Sequence, residues 1–267
     1  MKKSILSFAF ISLFLVSCNS TNSGKTQSEK TTDTTNVMEQ KDYIQADTYD
    51  TGDGQIKITL VGHGSLMLEY KGKIIHIDPY SKVADYSRLP KADIVLLTHE
   101  HADHLDTMAI NTIKKENTYF LMSQVCRDIL GYGDVIKNGE SNDKTGILPL
   151  IKAVPAYNIV NKKPDGEAYH PKGRGNGYVL PLDNFTIYVA GDTENIPEMD
   201  NLGKIDVAFL PKNLPYTMSD DMFIDAVKKV KATYIYPYHF SEFDQTKIGN
   251  ALQDSVTELL LRPMSNL

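Results

Sequence analysis

Short blocks of apolar residues, each of strand length, recur along the chain from Gln55 onward. Some of them alternate apolar with polar positions, which is typical of a strand with one buried face. Others are continuously apolar, which is typical of a strand buried on both faces. The predicted strands are IKITLVG, SLMLEY and KIIHIDPY with a turn at Lys71-Gly72, ADIVLLT, TYFLMS, ILPLIKAVPA, YVLPL and FTIYVAG with a turn at Asp183-Asn184, VAFLP, TYIYPYHF and VTELLLRPM.

Helical periodicity is present in TMAINTIKK, SQVCRDIL, SDDMFIDAVKKV and QTKIGNALQ. In the third of these, Ser219 is a suitable N-cap and acidic residues occupy the first turn. Strands open the ordered part of the chain, strands and helices then alternate, and this pattern recurs in the second half. The order of elements predicts an α+β fold, with two sheets and helices outside them in one domain.

The N-terminal segment MKKSILSFAFISLFLVSC has a different character from the rest. Two lysines precede an uncharged apolar run that is too short to span a membrane, which needs about 20 apolar residues. Leu15 to Cys18 resembles the lipobox of bacterial lipoproteins, although a plain secretory signal with an accidental cysteine would share this pattern. We therefore predict a signal peptide at 1–17, a lipidated Cys18 with a polar tether to residue 54, and a folded domain at 55–267.

This prediction places the protein in the bacterial cell envelope, periplasmic or at the outer membrane, with its lipid anchor as the only contact with a membrane. Cys18→Ala is expected to release the protein from the membrane fraction, because the variant has no thiol to carry the lipid. Fractionation of cells that produce the parent or the variant tests this. A variant that remains in the membrane fraction would refute the anchor.

Composition argues against a nucleic-acid-binding protein and against a fold held by disulfides. The 267 residues carry a formal net charge of −6 and no basic run, so nucleic-acid binding is not expected. Of the two cysteines, Cys18 is assigned to lipid, so Cys126 has no partner within the chain for a disulfide. Cys126 is predicted to be a small buried apolar residue.

The stretch THEHADHLD contains three of the seven histidines and follows a predicted buried strand. Residues two apart in an extended backbone point the same way, so His99 and His101 should face one space beyond the strand end. Asp103 and His104 can point back at that space from the turn that follows. Imidazole and carboxylate groups suit zinc and similar metals, but four ligands from one loop cannot all reach one ion in good tetrahedral geometry. Two metal ions are the better prediction.

This motif, His-x-His-x-Asp-His after a buried strand, resembles the signature of the metallo-β-lactamase superfamily. GHGSLMLE, IDPY, VPAYN, HPKG, AGDT and PYHF follow the order found in the branch that includes ascorbate-phosphate lactonases and the phospholipase D acting on N-acyl-phosphatidylethanolamine. The resemblance implies a four-layer αββα sandwich with the metals at one edge. It also implies that Asp192 bridges two divalent ions, zinc or else manganese or iron, and that His239 is the last histidine ligand.

The first metal site requires a third histidine besides His99 and His101. Some relatives carry it at the end of the Pro-Ala-x-x motif, where this chain has Asn158, whereas others pair PAYN with a later histidine that matches His170. We expect His170 to be the ligand because imidazole is the better zinc ligand, and we expect Asn158 to affect at most substrate handling.

Of four further residues, two are expected to support the site and two are expected to be structural. His63, between two glycines, is expected either to help hold the substrate or the metal-site loop or to be a structural residue. Asp78 is expected to orient a histidine ligand, with a strand-ending turn before Pro79 as the alternative. Cys126 and His76 are expected to be structural.

The resemblance implies a hydrolase in which a water between the two metals loses its proton and attacks the substrate. Asp103 would orient this water and handle the proton. Lys212, Asn213 and Tyr216 are expected to border the pocket of a small-molecule substrate, and a solvated loop lysine is the alternative for Lys212. Phosphodiesters, lactones and related esters or amides remain open, because one fold hosts many activities. A module that binds metal without catalysis is the alternative function, and the oligomeric state is open.

Overall fold

The computed structural model describes residues 45–263. The predicted signal peptide, Cys18 and the tether up to residue 44 lie outside this range, as do residues 264–267. Within the described range, none of the helices has the length and apolar character needed to cross a membrane.

Two seven-stranded sheets form the framework, and each contains its strands in chain order. The first sheet consists of β1 (Gln45–Asp50), β2 (Gln55–Gly62), β3 (Ser65–Tyr70), β4 (Lys73–Ile77), β5 (Ile94–Leu97), β6 (Tyr119–Met122) and β7 (Asp134–Val135). The second sheet consists of β8 (Ser141–Asn142), β9 (Ile151–Ala156), β10 (Gly175–Leu182), β11 (Phe185–Val189), β12 (Val207–Pro211), β13 (Tyr234–Tyr238) and β14 (Glu258–Leu259).

Within residues 45–263, four α-helices cover the outer faces of the sheets. They are α1 (Thr107–Ile113), α2 (Gln124–Leu130), α3 (Asp220–Val230) and α4 (Gln245–Ala251), and two short 3-10 helices lie at Tyr86–Arg88 and Pro197–Asn201. One apolar cluster combines residues of both sheets, a second joins the first sheet to α1 and α2, and a third joins the second sheet to α3 and α4. The predicted α+β, four-layer αββα sandwich is confirmed.

The first sheet begins earlier than predicted. The segment assigned to the end of the tether forms β1, which pairs with β2 from Gln45 to Asp50. As an edge strand it is mostly polar and half exposed, so it lacks the apolar alternation that marks a strand in the sequence. Tyr49 anchors it, since its ring lies 5.2 Å from those of Phe185 and Tyr234. The folded domain therefore includes Gln45–Asp50 and does not begin at residue 55.

The helix and turn predictions agree with the structure in detail. The Ser219 hydroxyl caps α3 by accepting a hydrogen bond from the amide of Met222 at 3.3 Å. Turns join β3 to β4 and β10 to β11 at the predicted positions. Cys126 is fully buried on α2, as predicted. The last predicted strand is shortened to β14, two residues long.

The carboxyl ends of the central strands meet at one edge of the sandwich. β4 and β5 are parallel, and so are β11, β12 and β13. β9 runs in the direction of β11, because both are antiparallel to β10. The segments that follow these strands carry the motif residues, so the topology gathers histidines and acids that are far apart in sequence. Such an edge is where sheets of this kind bind ligands.

Candidate metal centre

Three histidine nitrogens converge in a first group, cluster 1, made of His99, His101 and His170. His99 Nε2 and His170 Nε2 each lie 3.1 Å from His101 Nδ1. His99 and His101 come from the loop after β5, whereas His170 comes from the long segment between β9 and β10. The structure thus brings His170 to the position that the sequence assigned to it.

A second group, cluster 2, consists of His104, Asp192 and His239, and all three are buried. Asp192 Oδ1 lies 3.6 Å from His104 Nε2, and Asp192 Oδ2 lies 3.5 Å from His239 Nε2. The same Oδ2 is also 3.3 Å from His170 Nε2 in cluster 1. One buried carboxylate therefore stands between the two groups, which is the geometry that a bridging aspartate requires.

Asp103 borders cluster 2 on its open side. Its Oδ2 lies 2.9 Å from His63 Nε2, 3.3 Å from His239 Nε2 and 3.7 Å from His104 Nε2. About a third of its side chain is exposed, against 3% for Asp192. Asp103 is thus the carboxylate of the centre that solvent and a substrate can reach.

Hydrogen bonds behind the histidines fix which ring nitrogen faces the centre. Asp78 Oδ2 lies 2.8 Å from His104 Nδ1, so that this nitrogen donates and Nε2 faces Asp192. The Thr98 hydroxyl donates to Asp78 Oδ2 at 2.5 Å, which leaves its oxygen to accept from His99 Nδ1 at 2.9 Å. Asp78 therefore lies where a residue that orients a histidine belongs. Thr98 has the same role for His99, which the sequence did not indicate.

The donor set fits divalent metals. Within residues 45–263, His104 Nε2 and Asp192 Oδ1 are buried and have no hydrogen-bond partner. Buried polar atoms are rarely left unpaired, since this costs free energy. The Nε2 atoms of His99 and His170 also point at His101 Nδ1, so one shared cation can bind all three nitrogens. Imidazole nitrogens with carboxylate oxygens suit zinc, manganese or iron, so the residues present can hold two such ions.

The protonation states of the residues in the centre also fit a metal site. Burial opposes a charged His104, but the carboxylates of Asp192 and Asp78 outweigh it and raise the pKa of His104 to about 10. Burial, with His104 nearby, holds the pKa of His99 well below its usual value. Although burial opposes their ionisation, neighbouring histidines hold the pKa values of Asp103 and Asp192 below the usual range. The centre thus combines ionised carboxylates with a histidine that retains a proton, which a metal ion would displace.

Strained backbone aims three of these side chains. His63, Asp78 and His239 have left-handed φ angles of 51°, 46° and 50° without being glycine. Each follows the last residue of a strand, and the amide of His239 donates to the carbonyl of His63 at 2.9 Å. Gly64 leaves room for the ring of His104 beside this turn, because a Cβ there would lie 2.9 Å from His104 Cε1. Such conformations persist where the surrounding structure enforces them, often at functional sites.

The four residues predicted to lie near the substrate have different contacts in the structure. His63 contacts Asp103, and its ring lies 3.8 Å from that of His239. The ammonium of Lys212 contacts Asp220 Oδ1 and the carbonyl of Glu242, each at 2.9 Å, and its side chain is mostly buried, so it is not the solvated loop lysine of the alternative. Asn213 Nδ2 lies 3.5 Å from His239 Nδ1. Tyr216 is half exposed, and its ring packs against Tyr169, which lines the cavity at His99 and His170.

Asn158 and Glu194 form a buried pair behind His170. Asn158 Oδ1 accepts hydrogen bonds from the amide and from Nδ1 of His170, at 2.8 and 2.7 Å. Asn158 Nδ2 donates to Glu194 Oε1 at 3.1 Å. These contacts change the expectation for Asn158, which faces a histidine of cluster 1 and not a substrate. Glu194 was missed, because an isolated acid after Asp-Thr carries no signal in the sequence.

His76 remains outside the centre, as expected. It is buried in β4, its Nε2 lies 3.0 Å from the carbonyl of Pro90, and burial lowers its pKa to about 4. It belongs to the strand and not to the metal centre.

Comparison with known proteins agrees with this geometry. The profile of the beta-lactamase superfamily domain matches residues 57–239, so the fold and the site define a member of the beta-lactamase superfamily. Within the superfamily, the chain belongs to the UPF0173 metal-dependent hydrolases. It is 32% identical over 199 residues to such a protein of Nanoarchaeum equitans, an alignment that covers 70% of this chain and 84% of the relative. A UPF0173 protein of Flavobacterium johnsoniae is 29% identical over 212 residues, and this alignment covers 73% of this chain and 89% of the relative.

Solved structures support the same assignment. A crystal structure from Parabacteroides distasonis, described as that of a candidate metal-dependent hydrolase, is 42% identical and superposes with a TM-score of 0.79 over 83% of this chain and 100% of that one. A metallo hydrolase of Ignicoccus hospitalis shares the fold, with a TM-score of 0.65 at 23% identity over 79% of this chain and 96% of that one. The protein is therefore a metal-dependent hydrolase of the metallo-β-lactamase fold.

Proposed function

We propose that the protein is a dinuclear hydrolase of a small ester-like substrate: a phosphodiester, a lactone, or a related ester or amide. His99, His101 and His170 hold one ion, Asp103, His104 and His239 hold the other, and Asp192 bridges them. The observation that carries this proposal is the position of Asp192, whose carboxylate lies within 3.6 Å of histidines in both clusters. Zinc is the expected metal, with manganese or iron as alternatives.

When bound, the two ions supply an acidified water as nucleophile and stabilise negative charge on the attacked carbonyl or phosphoryl oxygen. The residues of the chain position the reactants and move the proton. Asp103 can orient the attacking water and accept its proton, because its carboxylate is the exposed one. His63 holds Asp103 at 2.9 Å and so limits the directions that the carboxylate can take.

We also propose that the enzyme works in the cell envelope, tethered through Cys18. The lipobox-like sequence and the polar segment after it support this location. The substrate would then be a molecule that reaches the envelope.

Turnover of a substrate panel by the purified protein tests the enzymatic function. We expect the zinc- or manganese-loaded chain to hydrolyse at least one of a phosphodiester, a lactone and a phospholipid. Asp103→Ala is expected to lower kcat by about 10²- to 10⁴-fold, the range typical of a lost general acid–base group. Asp128→Ala, which removes an exposed carboxylate from α2, is the matched control and should retain the parent rate.

Two outcomes would contradict the proposal. An Asp103→Ala variant with the parent kcat would remove Asp103 from the reaction. Tight binding of a panel compound without turnover, at full metal occupancy, would favour the module that binds metal without catalysis.

A further inference from the structure

Glu194 is fully buried, and its contacts within residues 45–263 include no cation. Its carboxylate instead accepts four N–H groups. Oε2 accepts the amides of Ile159 and Val160 at 2.7 and 2.8 Å, and Oε1 accepts the amide of Asn161 at 2.7 Å and Nδ2 of Asn158 at 3.1 Å. A carboxylate has about four lone-pair positions, so all of its hydrogen-bonding capacity is used. Glu194 thereby folds the segment after β9 around itself.

The side chain of Asn158 is saturated in the same way. Its Nδ2 donates to Glu194 and to the carbonyl of Tyr216, at 3.1 and 2.9 Å, while its Oδ1 accepts twice from His170. Rotating the amide by 180° would turn its NH₂ toward the backbone N–H of His170 and its oxygen toward a carboxylate and a carbonyl. The orientation of the amide is therefore determined by its partners.

We propose that Glu194 and Asn158 are positioning residues that set the tautomer and the direction of His170. The amide oxygen requires Nδ1 of His170 to carry the proton, which leaves the lone pair on Nε2. This Nε2 faces His101 Nδ1 at 3.1 Å and Asp192 Oδ2 at 3.3 Å. Carboxylate, amide and imidazole form a buried chain that ends in cluster 1, and we call it the 194–158–170 relay.

The relay has a counterpart at His99, where the Asp78 carboxylate orients the Thr98 hydroxyl and the hydroxyl contacts the imidazole. His104 differs, because Asp78 contacts it directly. His170 comes from a long segment between strands, and its position depends on a neutral amide that needs a fixed orientation itself. Glu194 provides that orientation, because a carboxylate can only accept. The histidine can therefore lie outside the Pro-Ala-x-x motif and still present Nε2 to cluster 1.

Metal affinity is the first test, and it rests on the two-metal assignment of the proposed function. Asn158→Ala and Glu194→Gln are each expected to weaken one of the two binding steps by about 10- to 100-fold, the usual effect of losing the partner of a ligand histidine. The other step should keep its affinity. The double variant should be no weaker than the weaker single variant, since both residues act through His170. Competition with a chromogenic chelator measures these affinities with zinc alone.

The tautomer of His170 in the metal-free protein is the second test, and it does not depend on metal binding or activity. Long-range ¹H–¹⁵N correlation NMR distinguishes the two tautomers. We expect the Nδ1–H form in the parent, a mixture in Asn158→Ala, and the Nδ1–H form again in Asn158→Asp, which keeps an acceptor oxygen. Asn158→Asp also places a carboxylate against Glu194 and should be no more stable than Asn158→Ala. If the tautomer of His170 depends on the presence of an acceptor oxygen at position 158 and not on the stability of the variant, the role of Asn158 is positioning and not general structural support.

Asn176→Ala is the matched control. Asn176 is a buried asparagine at the same edge, and its side chain bonds to Asn138, Tyr178 and the carbonyl of Ile136, with no hydrogen bond to a histidine among the described residues. It should change neither the tautomer nor the zinc affinity. An unchanged His170 tautomer in Asn158→Ala would overturn the relay, even in a protein without activity. If the tautomer changes but no second zinc binds to the parent, the relay stands and the dinuclear proposal fails.

Discussion

Asp192→Asn is expected to abolish dinuclear metal binding and to cause a large loss of hydrolysis. The buried carboxylate lies within 3.6 Å of His104, His170 and His239, so it stands between the two clusters. A neutral amide cannot balance two neighbouring cations. Since metal ions contribute several kcal/mol to catalysis, the rate should fall by more than about 10²-fold.

Elemental analysis of the purified variant and steady-state kinetics measure these two effects. Asp206→Asn is the control, because Asp206 is also buried and accepts the amide of Thr186 at 2.8 Å, away from the histidines. It should keep the metal content of the parent. If Asp192→Asn keeps two ions per chain, the bridging assignment is wrong.

His170→Ala and His239→Ala are expected to remove different ions. Each substitution takes one imidazole from one cluster, so the metal content should fall by about one ion per chain in either variant, and by about two in the double variant. Cobalt substitution and visible spectroscopy should show which site persists, because cluster 1 offers three nitrogens and cluster 2 mixes nitrogen with oxygen.

His76→Ala is the control for the loss of a buried histidine. It lies in β4 and hydrogen-bonds to a backbone carbonyl, so its removal should lower stability without changing the metal content. Two ions retained in His170→Ala would contradict the assignment of cluster 1. Loss of both ions in either single variant would show that the two sites fill only together.

The core strands were predictable because their burial leaves a direct trace in the sequence. β5 and β12 are buried on both faces, and both are continuous apolar runs. β1, β7, β8 and β14 are short or polar, and they form because a neighbouring strand offers backbone hydrogen bonds. Pairing of this kind depends on tertiary contacts, which local sequence does not encode.

The histidines of the centre were predictable for a related reason. Imidazoles that cluster after a buried strand are typical of a metal site, and the family resemblance indicated the distant ones. Glu194 and Thr98 have no such signature. Their roles arise from contacts with residues on other elements, in particular the return of the segment after β9 onto Glu194. The candidate ligands were therefore predictable, whereas only Asp78 and His63 were foreseen among the groups that contact them from behind.

The two clusters draw their members from both sheets. His99, His101, Asp103 and His104 follow β5 of the first sheet, whereas His170, Asp192 and His239 belong to segments of the second. His239 follows β13, near the end of the chain. All three histidines of cluster 1 precede β10, whereas cluster 2 lacks His239 until β13 has been made. Metal ions bound in this centre would therefore tie the two halves of the sandwich together.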